Sequence, residues 1–87
     1  MRSTQEMRRL ATVLLAGSVE TRFYSGDLRR AARIHSRRLY PLVTLLLERG
    51  WLADEWDEPA PETPQPQRYY MLTDLGRQEL AKAHPAA

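Results

Sequence analysis

Five arginines fall within ten residues near the middle of the sequence, and no acidic residue interrupts them: Arg29, Arg30, Arg33, Arg37 and Arg38. A guanidinium group pairs with phosphate and can bind guanine through two hydrogen bonds. Hydroxyl groups suit phosphates or base edges, and the same region supplies them from Ser36, Tyr40 and Thr44. We interpret His35 as a turn residue that can contact a phosphate. The pattern therefore predicts a surface that binds double-stranded DNA.

Charge is distributed unevenly along the chain, although the formal net charge at pH 7 is only +2. Residues 1–50 contain ten arginines and four acidic residues, whereas residues 51–67 contain five acidic residues and no basic one. A positive field concentrated on one half of a small protein is typical of an anion binder. An arginine-rich face can instead be merely solvated, and we interpret the acidic segment as solvating charge.

Chemistry other than binding finds no support in the sequence. Cysteine is absent, and His35 and His84 lack the partner spacing of a zinc site, so we expect neither a metal nor another cofactor. There is no nucleophile motif, glycine-rich phosphate loop or HExxH motif, so we do not expect an enzyme. No apolar run approaches the ~20 residues of a membrane span, and the N-terminus lacks the apolar stretch of a secretion signal. A cytoplasmic location is the simplest expectation.

Hydrophobic periodicity predicts a first helix and a second, shorter one. Ser3 and Glu6 fit a capping box ahead of a stripe that repeats at intervals of three and four residues: Met7, Leu10, Ala11, Leu14 and Leu15. Gly17 is expected to end this helix. The second helix is expected over residues 26–33 with Ser25 as its cap, and its predicted inward residues are Leu28, Ala31 and Ala32.

A third helix carries many of the candidate binding side chains. Ser36 is expected to cap it, and it is expected to end at Arg49, before Gly50 lets the chain reverse. One face is apolar and predicted to be buried: Leu39, Leu42, Val43, Leu46 and Leu47. The opposite face is predicted to be free, with Tyr40 on its flank: Arg37, Pro41, Thr44 and Glu48. A proline this near the first turn is tolerated, because few amides have helical partners there.

Two strands and a fourth helix complete the chain. The segments WLADEW and QRYYMLT are predicted strands, joined by DEPAPETPQP, whose prolines and acids cannot extend a sheet. Thr73 is expected to cap the last helix, with Leu75 and Leu80 facing inward. Residues 1–4 and 84–87 are expected to be frayed.

The order helix, helix, helix, strand, strand, helix predicts one domain over residues 1–87 with the winged helix-turn-helix fold. Its class is α+β, mostly helical, with three helices, a two-stranded wing and a C-terminal helix. The free face of the third helix can enter a major groove about 12 Å wide. The second helix places three further arginines where they can contact the phosphate backbone: Arg29, Arg30 and Arg33.

The segments GDL, LYPLVTLLLERGWLADEW and RYYMLTDLGRQEL resemble the winged-helix domain of the PadR family of bacterial transcriptional regulators. The resemblance covers about residues 25–82 and rests on two separate motifs at suitable spacing. It implies a dimeric, repressor-like regulator whose third helix and wing contact operator DNA. It also implies that Tyr40 lies at the DNA-facing edge of the third helix and Arg68 at the wing base. The implied core residues are Leu39, Leu42, Leu46, Leu52 and Leu72.

The sequence departs from the family pattern at three points. The wing is acidic and proline-rich instead of basic and glycine-rich, so Arg68 is expected to be its one useful cation. Family members usually continue into further C-terminal helices, so dimerisation is expected to use the first and last helices here. Met71 replaces a frequent basic residue, and with Tyr69 it is expected to form an exposed apolar contact for a partner chain. Trp51 is expected to pack in the core, and Trp56 less so.

The predicted function is that of a sequence-specific, DNA-binding transcriptional regulator, a repressor that acts as a homodimer. Two alternatives stay open. One is an excision or architectural factor of a mobile element, since small winged helices can bend DNA. The other is a winged helix used only as a protein-interaction module, which the acidic wing and Met71 would suit. The sequence identifies no small-molecule effector.

Overall fold

Four α-helices and one β-hairpin make up the chain in the computed structural model, which describes residues 4–62 and 64–85. In chain order they are α1 (Gln5–Ala16), α2 (Ser25–Ala32), α3 (Ser36–Glu48), β1 (Leu52–Trp56), β2 (Arg68–Leu72) and α4 (Asp74–Ala83). The predicted α+β class and the winged order of the elements are confirmed. No helix in the described part of the chain combines the length and apolar character needed to cross a membrane.

One hydrophobic core connects the helices with the hairpin. Its fully buried leucines come from every helix: Leu10, Leu14, Leu28, Leu39, Leu46 and Leu80. The hairpin adds Leu52, Tyr70 and Leu72, whereas three predicted core residues are only partly buried at the margin: Leu15, Leu42 and Leu47. Burial of a leucine stabilises a fold by about 1.5–3 kcal/mol. Tertiary packing rather than helix propensity therefore holds short helices such as α2 in place.

The first two helices begin differently from the prediction. Thr4 caps α1 by accepting a hydrogen bond from the Met7 amide at 3.1 Å, while the predicted cap, Ser3, lies outside the described residues. Ser25 is the first residue of α2 rather than its cap, and Tyr24 in the cap position makes no side-chain capping bond. Only the extended residue directly ahead of the first turn can aim a side-chain oxygen at a free amide, so a shift of one residue changes the cap.

The buried stripes of α2 and α4 are narrower than predicted. Each consists of two residues four positions apart: Leu28 and Ala32 in α2, and Gly76 and Leu80 in α4. Ala31 and Leu75, predicted to face inward, are exposed, because they lie beside these stripes and not on them. His84, predicted to be frayed, is buried at the end of α4, and its Nε2 has no hydrogen-bond partner among the described residues.

The sheet includes a third segment that the sequence patterns did not predict to be extended. β1 and β2 pair antiparallel in a register that places Trp56 opposite Arg68. On the other side of β2, Phe23 and Tyr70 exchange two backbone hydrogen bonds, both at 2.8 Å. This bridge ties the connector between α1 and α2 to β2.

Helix α4 packs directly on the turn between α3 and β1. A Cβ atom added to Gly76 would overlap the backbone carbonyl of Trp51, so the approach requires glycine. Thr73 caps α4 as predicted, accepting a hydrogen bond from the Gly76 amide at 2.9 Å. Its hydroxyl donates to the Gly50 carbonyl at 2.7 Å. These contacts fix α4 against the end of α3, where Gly50 adopts the positive φ of 74° that reverses the chain.

We expect Gly76→Ala to lower the free energy of unfolding by about 1–3 kcal/mol, because α4 must move to relieve the overlap. Urea unfolding followed by far-UV circular dichroism measures the change. Gly26→Ala is the matched control, since its Cβ would meet only the flexible end of Arg30 and alanine favours a helix. Equal stability of Gly76→Ala and the parent chain would contradict the close approach.

Candidate DNA-binding surface

One face of α3 holds the helix to the core, and the other is open. Leu39, Val43 and Leu46 are buried. The positions predicted to be free are all exposed: Arg37, Tyr40, Pro41, Thr44 and Glu48. Tyr40 in particular exposes 53% of its surface. The open face can therefore meet a groove without any rearrangement of the core.

His35 caps α3 in place of the predicted Ser36. Its Nδ1 atom accepts a hydrogen bond from the Arg37 amide at 3.3 Å. His35 is exposed and Ser36 is half-buried at the same end of the helix. Because the N-terminus of a helix carries partial positive charge, this end adds to the attraction that Arg37 exerts on an anion.

The turn between α2 and α3 depends on Arg33 and on an arginine from another helix. Arg33 has φ of 56°, and it is the one non-glycine residue with positive φ in the described ranges. Arg9 of α1 donates from Nε to the Ala32 carbonyl at 2.8 Å and from Nη2 to the Arg33 carbonyl at 3.3 Å. A cation at these last carbonyls also suits the helix dipole. Arg9 thus fixes the turn, a role that no local sequence pattern indicates.

Ion pairing divides the predicted cationic cluster into two groups. Arg30 pairs with Asp27 at 2.6 Å, and Arg38 pairs with Glu6 at 2.7 Å. The remaining arginines form no ion pair within residues 4–62 and 64–85, and they are Arg29, Arg33 and Arg37. Unneutralised positive charge therefore lies around the α2–α3 turn and the start of α3.

The bond between Arg38 and Glu6 joins α3 to α1. Arg38 donates from Nε and Nη2 to Oε1 of Glu6 at 3.0 and 2.7 Å. Hydrogen bonding to the guanidinium lowers the pKa of Glu6, and the same bond raises the pKa of Arg38. The two-point contact fixes the orientation of the first turns of α3 against α1.

Arg68 lies at the wing base, as expected, but its charge is already engaged. It pairs with Asp54 at 2.7 Å, and its guanidinium lies 5.2 Å from the centre of the Tyr70 ring. Burial raises the pKa of Tyr70, which stays neutral beside this cation. The wing therefore offers less free positive charge than was predicted from Arg68.

A group of four side chains beside the wing, here called the Asp57 cluster, was not predicted: Arg22, Tyr24, Asp57 and Tyr69. Asp57 accepts hydrogen bonds from Arg22 Nη1 and from the Tyr24 hydroxyl, both at 2.8 Å. The Arg22 guanidinium lies 4.6 Å from the centre of the Tyr69 ring. The bond to the Asp57 carboxylate raises the pKa of Tyr24. Asp57 lies 35 residues from Arg22 in sequence, so no local pattern could have indicated this contact.

The aromatic residues of the hairpin are only partly where they were predicted. Tyr69 is only 8% exposed, because Arg22 and Tyr24 lie against its ring. The prediction that Tyr69 is an exposed contact for a partner chain is therefore wrong. Met71, the other residue of that prediction, is half-buried. Trp51 packs against the core, as expected, with Arg49 over its ring at 5.3 Å. Trp56 is largely exposed.

The arrangement of these elements defines the class of protein. A tight turn joins α2 to α3, an antiparallel hairpin follows, and the polar face of α3 is open, which is the winged form of the helix-turn-helix. The profile of the transcriptional regulator PadR-like family matches residues 26–82, which is more than half of the chain. The protein belongs to this family of transcriptional regulators, and the resemblance seen in its sequence motifs is confirmed.

Two solved structures are similar to the chain. The X-ray structure of a PadR-like transcription factor from Bacteroides fragilis is 28% identical with a TM-score of 0.63, covering 91% of this chain and 78% of that chain. The crystal structure of smu.1704 from Streptococcus mutans UA159 is 22% identical with a TM-score of 0.69, covering 95% of this chain and 77% of that chain, and it supports the fold. No curated protein sequence matched the chain.

The pKa of Glu6 yields a prediction about stability and pH. In the folded protein the pKa of Glu6 lies below its ordinary value. The bond to Arg38 therefore stabilises the fold at any pH above that ordinary pKa, and the stabilisation is lost as the pH falls through the folded pKa. We therefore expect Glu6→Gln to lower the unfolding midpoint in urea at about pH 7 and to have less effect at about pH 3. An effect that is the same at both pH values would contradict an ionic role for Glu6.

Proposed function

We propose that this protein is a sequence-specific transcriptional regulator that binds double-stranded DNA as a homodimer and represses transcription. The observation that carries the proposal is the open polar face of α3, anchored through Leu39, Val43 and Leu46. Arginines that form no ion pair within the described residues border this face. A helix held in this way can lie in a major groove about 12 Å wide while the core stays intact. The family of the chain supports the regulatory role.

The exposed residues of α3 divide into two roles in this proposal. Arg37, Tyr40 and Thr44 lie on the open face and read base edges, with Arg37 able to bind guanine through two hydrogen bonds. The other proposed contacts are to phosphates, which supply affinity without sequence information: Arg29, Arg30, Arg33, His35, Ser36, Arg38 and Arg68. Within this group Arg29 and Arg33 contribute most to the affinity, because their charges have no acidic partner among residues 4–62 and 64–85.

A homodimer would place two α3 helices on successive major grooves, so its operator would contain two half-sites about 34–36 Å apart. Occupation of such a site within a promoter excludes other proteins, and this favours repression. We place this action in the cytoplasm, where bacterial DNA lies. Sedimentation of the chain with a selected duplex checks the stoichiometry, and one chain per operator would contradict the dimer.

The DNA contact is tested with Arg37→Ala. We expect the affinity for a duplex selected from genomic fragments to fall about tenfold, since a base-reading arginine contributes about 1–3 kcal/mol. We also expect the discrimination between the selected duplex and random DNA to fall. Fluorescence anisotropy at several salt concentrations measures both.

Arg49→Ala is the matched control, because it removes the same charge from the opposite end of α3, where Arg49 lies over Trp51. We expect it to bind nearly as the parent chain does. Failure of the parent chain to bind any duplex at low salt would reject the proposal. That result would favour a protein-interaction module, which the acidic hairpin would suit.

A further inference from the structure

The register of the hairpin assigns its side chains to two faces. Opposed residues of antiparallel strands point to the same face, and the faces alternate along each strand. One set is here called the inner face: Leu52, Asp54, Trp56, Arg68, Tyr70 and Leu72. It is the face toward α3, because Leu52, Tyr70 and Leu72 belong to the core that α3 completes. The backbone of Trp56 therefore directs its side chain to the same side of the sheet as α3.

The inner face of the hairpin carries little net negative charge. Asp54 is its acidic residue, and Arg68 on the same face pairs with it at 2.7 Å. Glu55 opposes Tyr69 and so lies on the outer face. Within the two strands, unpaired negative charge is therefore not directed at the side that α3 occupies.

The Asp57 cluster also holds the carboxylate of Asp57 away from α3. Arg22 and Tyr24 flank Phe23, whose partner Tyr70 is on the inner face, so both side chains lie on the outer face. Their hydrogen bonds to Asp57, both at 2.8 Å, hold this carboxylate on the outer face. Because side chains alternate along the chain, an outward Asp57 places the Cβ atom of the preceding Trp56 toward the inner face.

Trp56 is left with its indole ring in solvent. It exposes 63% of its surface, more than any other large apolar residue in the described part of the chain. Trp56 lies two positions beyond Asp54, which opposes the core residue Tyr70, so at about 3.4 Å per residue it lies about 7 Å beyond the core along the hairpin. Tryptophan provides a large and rigid contact area, which suits it to an interface more than to solvent.

We propose that Trp56 is the contact of the wing with duplex DNA, packing its indole ring against the sugars and bases beside the groove that α3 enters. The inference rests on the proposed function. Such a contact is apolar, so the hairpin can approach the duplex without a free cation. The wing then contributes mainly area and orientation, while most of the charge is supplied by α2 and α3.

The first test is the affinity of Trp56→Ala for the selected duplex over a range of salt concentrations. We expect binding about fivefold weaker or more, with the same dependence on salt, because no phosphate contact is lost. Loss of a cation would instead reduce the log–log slope by about 0.9. Trp56→Phe should recover most of the affinity, since it keeps an aromatic ring. Thermal melting followed by circular dichroism should show that this exposed position leaves the fold unchanged.

The second test places a reporter in the contact itself. Trp51→Phe leaves Trp56 as the sole tryptophan of the chain, and its emission should change on addition of the duplex. Trp56→Phe leaves only Trp51, which packs against the core and should respond much less. If Trp51→Phe does not fold, the affinity of Trp56→Ala in the otherwise unchanged chain decides the matter.

The outcomes separate this inference from the proposed function. Weaker binding by Trp56→Ala with an unchanged salt slope supports both. Binding of Trp56→Ala with the affinity of the parent chain overturns the inference alone. So does a Trp56 fluorescence that stays unchanged when the chain binds DNA. Absence of binding by the parent chain overturns the proposed function and this inference with it.

Discussion

Burial of one side of α3 is the constraint on which the rest of the structure depends. Leu39, Val43 and Leu46 recur at helical spacing and are each almost completely removed from solvent. Since each contributes about 1.5–3 kcal/mol, turning α3 about its axis would cost an amount comparable with the whole stability of a small domain. The helical repeat then leaves Arg37 and Thr44 no orientation except outward. The direction of the candidate binding surface is thus a consequence of core formation.

The remaining contacts restrict how α3 can tilt. Arg9 satisfies the carbonyls of the turn before it, the Glu6 carboxylate holds Arg38 near its start, and Gly76 lets α4 press on the turn after it. These contacts come from α1 and α4, which have no part in the proposed base contacts. A substitution in either helix can therefore change the position of α3 without touching a candidate contact residue.

Counting arginines overstates the charge available to a ligand. Arg30 and Arg38 are in ion pairs, so the field at the surface comes mainly from their unpaired neighbours. Exposed pairs of this kind contribute only about 0–1 kcal/mol to stability. A phosphate can consequently displace Asp27 from Arg30 at little cost, because both side chains are well exposed. Such pairs orient the arginine side chains before a ligand binds, and they leave the guanidinium groups accessible to it.

Sequence patterns predicted what depends on neighbours along the chain. The order of the elements, the two faces of α3 and the cap at Thr73 all follow from spacings of a few residues, and all are confirmed. The caps at Thr4 and His35 were missed, because a choice between adjacent polar residues depends on where the extended backbone ends.

Contacts between distant parts of the chain could not be predicted in the same way. The bridge between Phe23 and Tyr70 and the bonds from Arg9 join segments more than twenty residues apart. Nothing local distinguishes Arg9 from the adjacent Arg8, although only Arg9 reaches the end of α2 in the described structure. The candidate site was therefore predictable as a set of residue types on α3, and not as a map of which charges are free.

The hairpin shows how an acidic segment and an anionic ligand can be compatible. Alternation along β1 sends Glu55 outward, the Asp57 cluster holds the next carboxylate on the same side, and Arg68 neutralises Asp54. Without the pairing of Phe23 to β2, neither Arg22 nor Tyr24 would be in reach of Asp57. The connector between α1 and α2, which the sequence patterns predict as a simple loop, thereby holds Asp57 on the outer face of the wing. An acidic net charge in a wing is therefore weak evidence against DNA binding when the strand register directs the strand carboxylates away from α3.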